Sequence, residues 1–440
     1  MNDLAVPPPL RPVLVRGQGV HVWDVDGHRY LDAISGAFCM QLGYGRADLE
    51  RALATAAGKL PFARPSVFAS EELEAYGREL LEAVGPPFAR VLLTSSGSEA
   101  VEAAFKVAYF SQAGGKPDPR GWPVRARMAH LRGHFHGATV EAMRFSDYGP
   151  RRAPYEFMLG EGHTTLDPGD SRALDQGLGD ACALIAETIP AVGLGVAVPP
   201  PGTLARMRRA CDAQGAVWIA DEVLTGFGRV GALFAWQRLA ERPEDAGAIP
   251  DLVAFGKGAG SGYAALGGVL ITERVAAALD RGDPRIAKGV PFSHAQTYGG
   301  HALACAVGRR VLAALREEKI FERVRAEESR LREALEPLAR HEAVMEVRGL
   351  GFLWGITLVA DRATGAPFAR ELRIAERVEA RCREQGLLIY GGSGSADGVR
   401  GDHLLVAPQL IAEPHHFVQI ASGIRQVLDE ILRETRPPRS

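Results

Sequence analysis

From about residue 70 to residue 271, helical and strand patterns alternate, and this alternation narrows the fold more than any other feature of the chain. Glu71–Ala83 carries apolar residues at helical spacing and Val91-Leu92-Leu93 is a short apolar run. Ser98–Ala113 is helical again, with Glu99 and Glu102 suited to the positive end of its dipole. Ala183-Leu184-Ile185-Ala186, Val217-Trp218-Ile219-Ala220, Leu252-Val253-Ala254-Phe255 and Gly268–Ile271 read as buried strands, with a helix over 204–214. Repeated βα units predict an α/β fold, a mainly parallel sheet flanked by helices on both faces. Helices at about 301–316 and 319–340 lead out of this unit.

The ends of the chain have a different pattern. Residues 13–32 alternate and turn at Asp26-Gly27, as an antiparallel hairpin does, and 1–12 reads as a poorly ordered arm. After residue 340 come strands at 343–348 and 352–359, a helix at about 368–385, strands at 387–390 and 404–407, and a closing helix at 414–433. Gly391-Gly392-Ser393-Gly394-Ser395 reads as a flexible loop. The predicted organisation is an N-terminal segment (1–60) packing with a smaller α+β C-terminal domain (326–440), and a large domain (61–325) between them.

Composition excludes several classes of function. A net charge of −2 offers nothing to nucleic acid or to an anionic membrane. No apolar run approaches the roughly 20 residues that span a bilayer. The N-terminus has no basic region followed by an apolar run, and Pro7-Pro8-Pro9 breaks any helix there, so no signal peptide is expected. Cys39, Cys182, Cys211, Cys305 and Cys382 are odd in number and scattered, which fits reduced thiols in the cytoplasm.

Three chemical groups stand directly after apolar strands. Val91-Leu92-Leu93 runs into Ser96-Gly97-Ser98, whose N–H groups, hydroxyls and helix dipole suit a phosphate. Val217–Ala220 ends in Asp221, and Leu252–Phe255 is followed by Lys257 and a glycine-rich stretch. Singly, each has an ordinary reading: an N-cap serine, a salt-bridged aspartate, a surface lysine. Jointly, an anion cradle, a carboxylate and a lysine in this order are the parts that hold pyridoxal phosphate (PLP). Asp221 would hold the pyridine nitrogen protonated, and Lys257 would form the Schiff base and move the substrate proton. Only six lysines occur in the chain, and none of the other five, Lys59, Lys106, Lys116, Lys288 and Lys319, follows a comparable strand. His134 and His136 stand two apart without a carboxylate or cysteine set, so no metal is expected. Phe135 between them suits stacking on a ring.

On these segments the chain closely resembles the class III PLP-dependent aminotransferases of fold type I, from Gly19 to about residue 430. Val25-Asp26-Gly27 with Tyr30-Leu31-Asp32 looks like the family's opening, and Ser96-Gly97-Ser98-Glu99-Ala100 like its phosphate loop. Phe135-His136-Gly137 is similar to its ring-stacking segment. Ile219-Ala220-Asp221-Glu222-Val223 with Thr225-Gly226-Phe227-Gly228-Arg229 resembles its most specific signature. The resemblance implies Asp221 on the pyridine nitrogen, Val223 beneath the ring, Lys257 as the attachment lysine, and Glu187 retained near the cofactor. It also implies a homodimer in which Thr297, in Thr297-Tyr298-Gly299-Gly300-His301, reaches the phosphate of the neighbouring subunit.

Five positions depart from the family pattern. Phe135 replaces a usual Tyr, Pro190 stands where a Gln contact is frequent, and Val192 stands where glutamate-accepting members often have Glu. Leu405 occupies the place of a carboxylate-gripping Arg, with Gln409 in place of a Pro. Arg400, in the 391–402 loop, is then the candidate for a mobile arginine that swings in to hold a carboxylate. The expected reaction moves an amino group from an amine or amino acid to a 2-oxo acid. The alternative is another PLP reaction on an amino acid: decarboxylation, racemisation or carbon–carbon bond formation.

Overall fold

The structure is a computed structural model that describes residues 12–65, 67–112, 127–160, 162–179, 181–281 and 292–435. The expected arm at 1–12 lies outside these residues except for Pro12, as do Lys116 and Lys288.

The chain opens with three short antiparallel strands, β1 (Leu14–Gln18), β2 (His21–Asp24) and β3 (Arg29–Asp32). Asp24 organises the turn between β2 and β3: its carboxylate accepts from the N–H groups of Asp26 (3.1 Å) and His28 (2.9 Å) and from Tyr30 Oη (2.7 Å).

A seven-stranded sheet forms the centre. Its strands are β4 (Phe88–Thr94), β5 (Arg127–Leu131), β6 (His163–Leu166), β7 (Ala181–Glu187), β8 (Val217–Asp221), β9 (Leu252–Phe255) and β10 (Gly267–Thr272). Their spatial order is β4-β10-β9-β8-β7-β5-β6. β10 runs antiparallel to both neighbours, and the other adjacent pairs are parallel. β7, β8 and β9 are buried along their whole length, as strands covered on both faces must be. The helix Gly97–Ser111 lays Ala100, Val101, Ala104 and Val107 on one face, against Ile185, Ile219 and Ala254. Sequence reading passed over β5 and β6: β5 starts on Arg127, and His163-Thr164-Thr165 of edge strand β6 is only half-buried.

A third sheet contains β11 (Val344–Leu350), β12 (Leu353–Leu358), β14 (Tyr390–Gly392) and β15 (His403–Val406), in the order β11-β12-β15-β14. β13 (Leu387–Leu388) instead joins the first sheet, parallel to β3, with Leu387 opposite Leu31. The single strand expected at 387–390 is therefore two strands in two sheets, divided at Ile389. The helix expected at 368–385 starts only at Ile374, because Arg373 has φ 49° and ends the preceding turn. The closing helix runs Pro414–Thr435. No helix among the described residues is long and apolar enough to cross a membrane.

Candidate active site

The parallel register brings the chemical groups together. Glu187 ends β7 and lies opposite Asp221 at the end of β8, which lies opposite Ala254 of β9. Lys257 follows three residues later. The reversed strand β10 leaves the carboxyl ends of β4 and β9 on the same edge, so the Ser96-Gly97-Ser98 turn reaches the same place. This is the edge at which open α/β sheets bind ligands. A cavity of about 380 Å³ opens there, lined among others by Ser96, Gly97, Ser98, Phe135, His136, Glu187, Asp221, Val223 and Lys257.

Each group is held by local structure. Ser96 Oγ accepts from Glu99 N–H (3.3 Å) and caps the helix, while Glu99 accepts from Ser95 N–H (2.8 Å). Ser98 Oγ accepts from Ala138 N–H (3.1 Å), tying the turn to the 135–138 segment. A Cβ on Gly97 would fall 2.4 Å from Val223 Cγ1, so only glycine lets this helix start lie against that side chain. A Cβ on Gly137 would fall 2.5 Å from Ser98 Oγ.

Asp221 is buried and receives two donors: Val223 N–H on Oδ1 (3.0 Å) and His136 Nδ1 on Oδ2 (2.7 Å). His136 is held by its own N–H, which donates to Ser146 Oγ (2.8 Å). Its Nε2 is buried without a partner among the described residues. Glu187 accepts from Phe135 N–H (2.8 Å) and Ala191 N–H (3.4 Å). Burial, together with the neighbouring Asp221 charge, pushes Glu187 up to about 8 against the pull of those two bonds and of Lys257. Burial lowers Lys257 from the ordinary lysine range, and Asp221 and Glu187 oppose that shift. Lys257 adopts φ 41°, a left-handed backbone that a lysine enters only when its surroundings impose it.

The rest of the Asp221–Arg229 signature is structural. Glu222 is fully buried and accepts from Thr188 Oγ1 (2.7 Å), Ala235 N–H (2.9 Å), Trp236 N–H (2.7 Å) and Thr225 Oγ1. Arg229, also fully buried, donates to Pro408 O (2.6 Å), Phe352 O (3.3 Å) and Ser35 Oγ (3.1 Å), joining the large sheet to both ends of the chain.

Two expected site residues lie elsewhere. Thr297 is exposed in a turn and does not line its own chain's cavity. Arg400 is exposed, and its Nε donates to Asp397 (2.7 Å) three residues away. Conversely, Ile34, Phe38, Arg151 and Tyr390 line the cavity, and sequence reading did not find them. They come from the segment after β3, from the turn region near 150 and from β14. None stands at a strand end of the central sheet, so nothing in the local pattern marked them.

The profile of the family described as Aminotransferase class-III matches residues 5–428. The chain is a class III aminotransferase. Members of this family are PLP-dependent. Among its relatives is a probable aminotransferase of Mycobacterium tuberculosis, 32% identical over 96% of this aminotransferase and 91% of the relative. A putrescine–pyruvate aminotransferase of Pseudomonas aeruginosa is 28% identical over 95% of the chain and 90% of its own length. Among solved structures, a PLP-bound amine transaminase from an uncultivated Pseudomonas species superposes with a TM-score of 0.84 at 28% identity, covering 97% of each chain. The fold of this aminotransferase is thus that of fold type I.

Proposed function

We propose that this aminotransferase binds PLP in the cavity at the ends of β4, β7, β8 and β9, and there moves an amino group from an amine or amino acid to a 2-oxo acid. The residues present fit the group. The N–H groups of Gly97 and Ser98 open a helix, and among the described residues they have no hydrogen-bond partner. Val223 and Phe135 offer two apolar faces to a flat ring, and Asp221 offers a carboxylate oriented by two donors. When bound, PLP supplies the electron sink for a carbanion at the substrate carbon.

The protein's own work is then positional and protonic. Gly97, Ser98 and Ser96 bind the phosphate, and Asp221 holds a proton at the ring nitrogen. His136 and Val223 N–H fix the angle of Asp221. Lys257, lowered by burial, would hold the cofactor and then, at Nζ, take the proton from the substrate carbon and deliver it to the cofactor. Glu187 lies on the far side of Asp221 and keeps Phe135 in place through the Phe135 N–H. The observation that carries the reading is the side-by-side register of Glu187, Asp221 and Ala254, which aims Asp221 and Lys257 into one cavity.

The homodimer belongs to the proposal. Phe62, Val67, Phe68 and Tyr298 are exposed, and the rings of Phe62 and Tyr298 lie 6.2 Å apart. The exposed pair of Phe62 and Tyr298, the latter next to Thr297 in the chain, suits a second copy whose cavity Thr297 would reach. A cytoplasmic setting is likewise proposed. Burial pushes the Cys211, Cys305 and Cys382 thiols up to about 12, which leaves them unreactive.

The test is the amine half-reaction. Holoenzyme mixed with a simple primary amine, without acceptor, should release one carbonyl product per site and stop. Lys257→Ala should give none, a loss of at least roughly 10²–10⁴-fold. Release of carbon dioxide or of an epimer from an amino acid, without a carbonyl product, would instead favour the alternative PLP chemistry.

A further inference from the structure

We propose that Arg151 grips the substrate carboxylate, so that this aminotransferase distinguishes a 2-oxo acid acceptor from a plain amine donor by a guanidinium on the wall of the cavity. The carboxylate's role as acceptor rests on the aminotransferase reading, but the binding site itself does not.

Two consecutive arginines have opposite environments. Arg152 is buried and fully engaged, donating to Glu156 (2.9 Å), to Ser146 O (2.7 Å) and to Arg144 O (3.1 Å). Arg151 is turned to the cavity that holds Lys257 and Asp221. Its guanidinium has no carboxylate and no hydrogen-bond partner among the described residues. It lies 5.0 Å from the centre of the Phe135 ring and 6.0 Å from that of Tyr148, which fix the plane of its fork without consuming its donors. Its charge reaches Lys257 and Tyr390, lowering both. Burial nonetheless pushes the Tyr390 hydroxyl upward, and its hydrogen bond to Tyr148 adds to that rise.

Arg151 is exposed, so its unpaired guanidinium is open to an anion, and a carboxylate attached to the reacting carbon would engage it bidentately. The expected mobile arginine, Arg400, is differently placed. Its loop packs on the Arg151 segment, where a Cβ on Gly149 would fall 2.4 Å from Gly398 O, yet its side chain is bound to Asp397. Arg151 needs no such release.

The experiment uses holoenzyme, with propionate as a non-reacting carboxylate. Calorimetric Kd for propionate should weaken about 10–100-fold in Arg151→Gln, the loss expected when a charged hydrogen-bond partner is removed, and less in Arg151→Lys. KM for pyruvate should rise in parallel, and the half-reaction of an amine without a carboxylate should change by a much smaller factor. Unchanged propionate and pyruvate parameters in Arg151→Gln would overturn the proposal. So would an equal loss with the plain amine, a loss of cofactor with propionate affinity kept, or a propionate effect found in Arg400→Ala instead. If wild-type holoenzyme gave no amine half-reaction, the aminotransferase reading would fail, and the propionate titration would still decide for or against Arg151.

Discussion

At the scale of single residues, position in the sheet and chemistry separate cleanly. Asp221 and Lys257 were legible because each follows an uninterrupted apolar strand. The resemblance placed His136 at the site, but its bond to Asp221 was not legible, since the two lie 85 positions apart. Asp221→Asn should keep the shape, lose the charge, and slow the amine half-reaction by at least about 10–100-fold. Cofactor affinity should fall far less, and stopped-flow rates set against cofactor titrations check this. Glu187 gives a pH signature. Its folded value of about 8 lies above the ordinary 4.5. Between those values the folded protein keeps a proton that the unfolded chain has lost, so stability falls as pH rises and levels off above about 8. Glu187→Gln cannot titrate. Its Tm relative to wild type should therefore climb from pH 5 to pH 8.5, even though the lost acceptor for Ala191 N–H sets a constant cost. A gap that stayed flat with pH would contradict the buried, protonated carboxyl.

At the scale of elements, the central strands and long helices were readable because their burial is complete and their periods are regular. Strand β5, the edge strand β6 and the strand switch at Ile389 were not, because each depends on a neighbour rather than on its own pattern. The start of the Gly97–Ser111 helix shows how close that dependence can be. Gly97→Ala would set a methyl against Val223. Overpacking of this kind costs about 1–3 kcal/mol, and here it also displaces the apolar floor proposed for the ring. Cofactor affinity and Tm should both fall. Adding Val223→Ala should restore part of the Tm loss, and a double-mutant cycle measures the coupling. Strict additivity would show that the two residues do not meet.

At the scale of the whole molecule, the βα alternation announced the large sheet, but the way the two ends of the chain meet left no local trace. β3 pairs with β13, and Asp32 Oδ2 accepts from Gln409 Nε2 (2.9 Å), Tyr44 Oη (2.9 Å) and Gly36 N–H (2.6 Å). The Gln that departs from the family pattern is therefore a tie between distant segments. The proposed dimer is checked by light scattering. Phe68→Asp, at a ring 65% exposed in the single chain, should shift the mass towards one subunit and lower turnover with it. An unchanged mass would place the interface elsewhere. The β3–β13 pairing also has a cost during synthesis. Asp32 emerges 356 residues ahead of its β13 partner Leu388 (388 − 32), which at about 5–20 residues per second is roughly 18–71 s of translation. Throughout that interval Val20, Val22 and Leu31 lack their finished sheet, so the nascent N-terminus exposes apolar residues that a chaperone at the ribosome could cover.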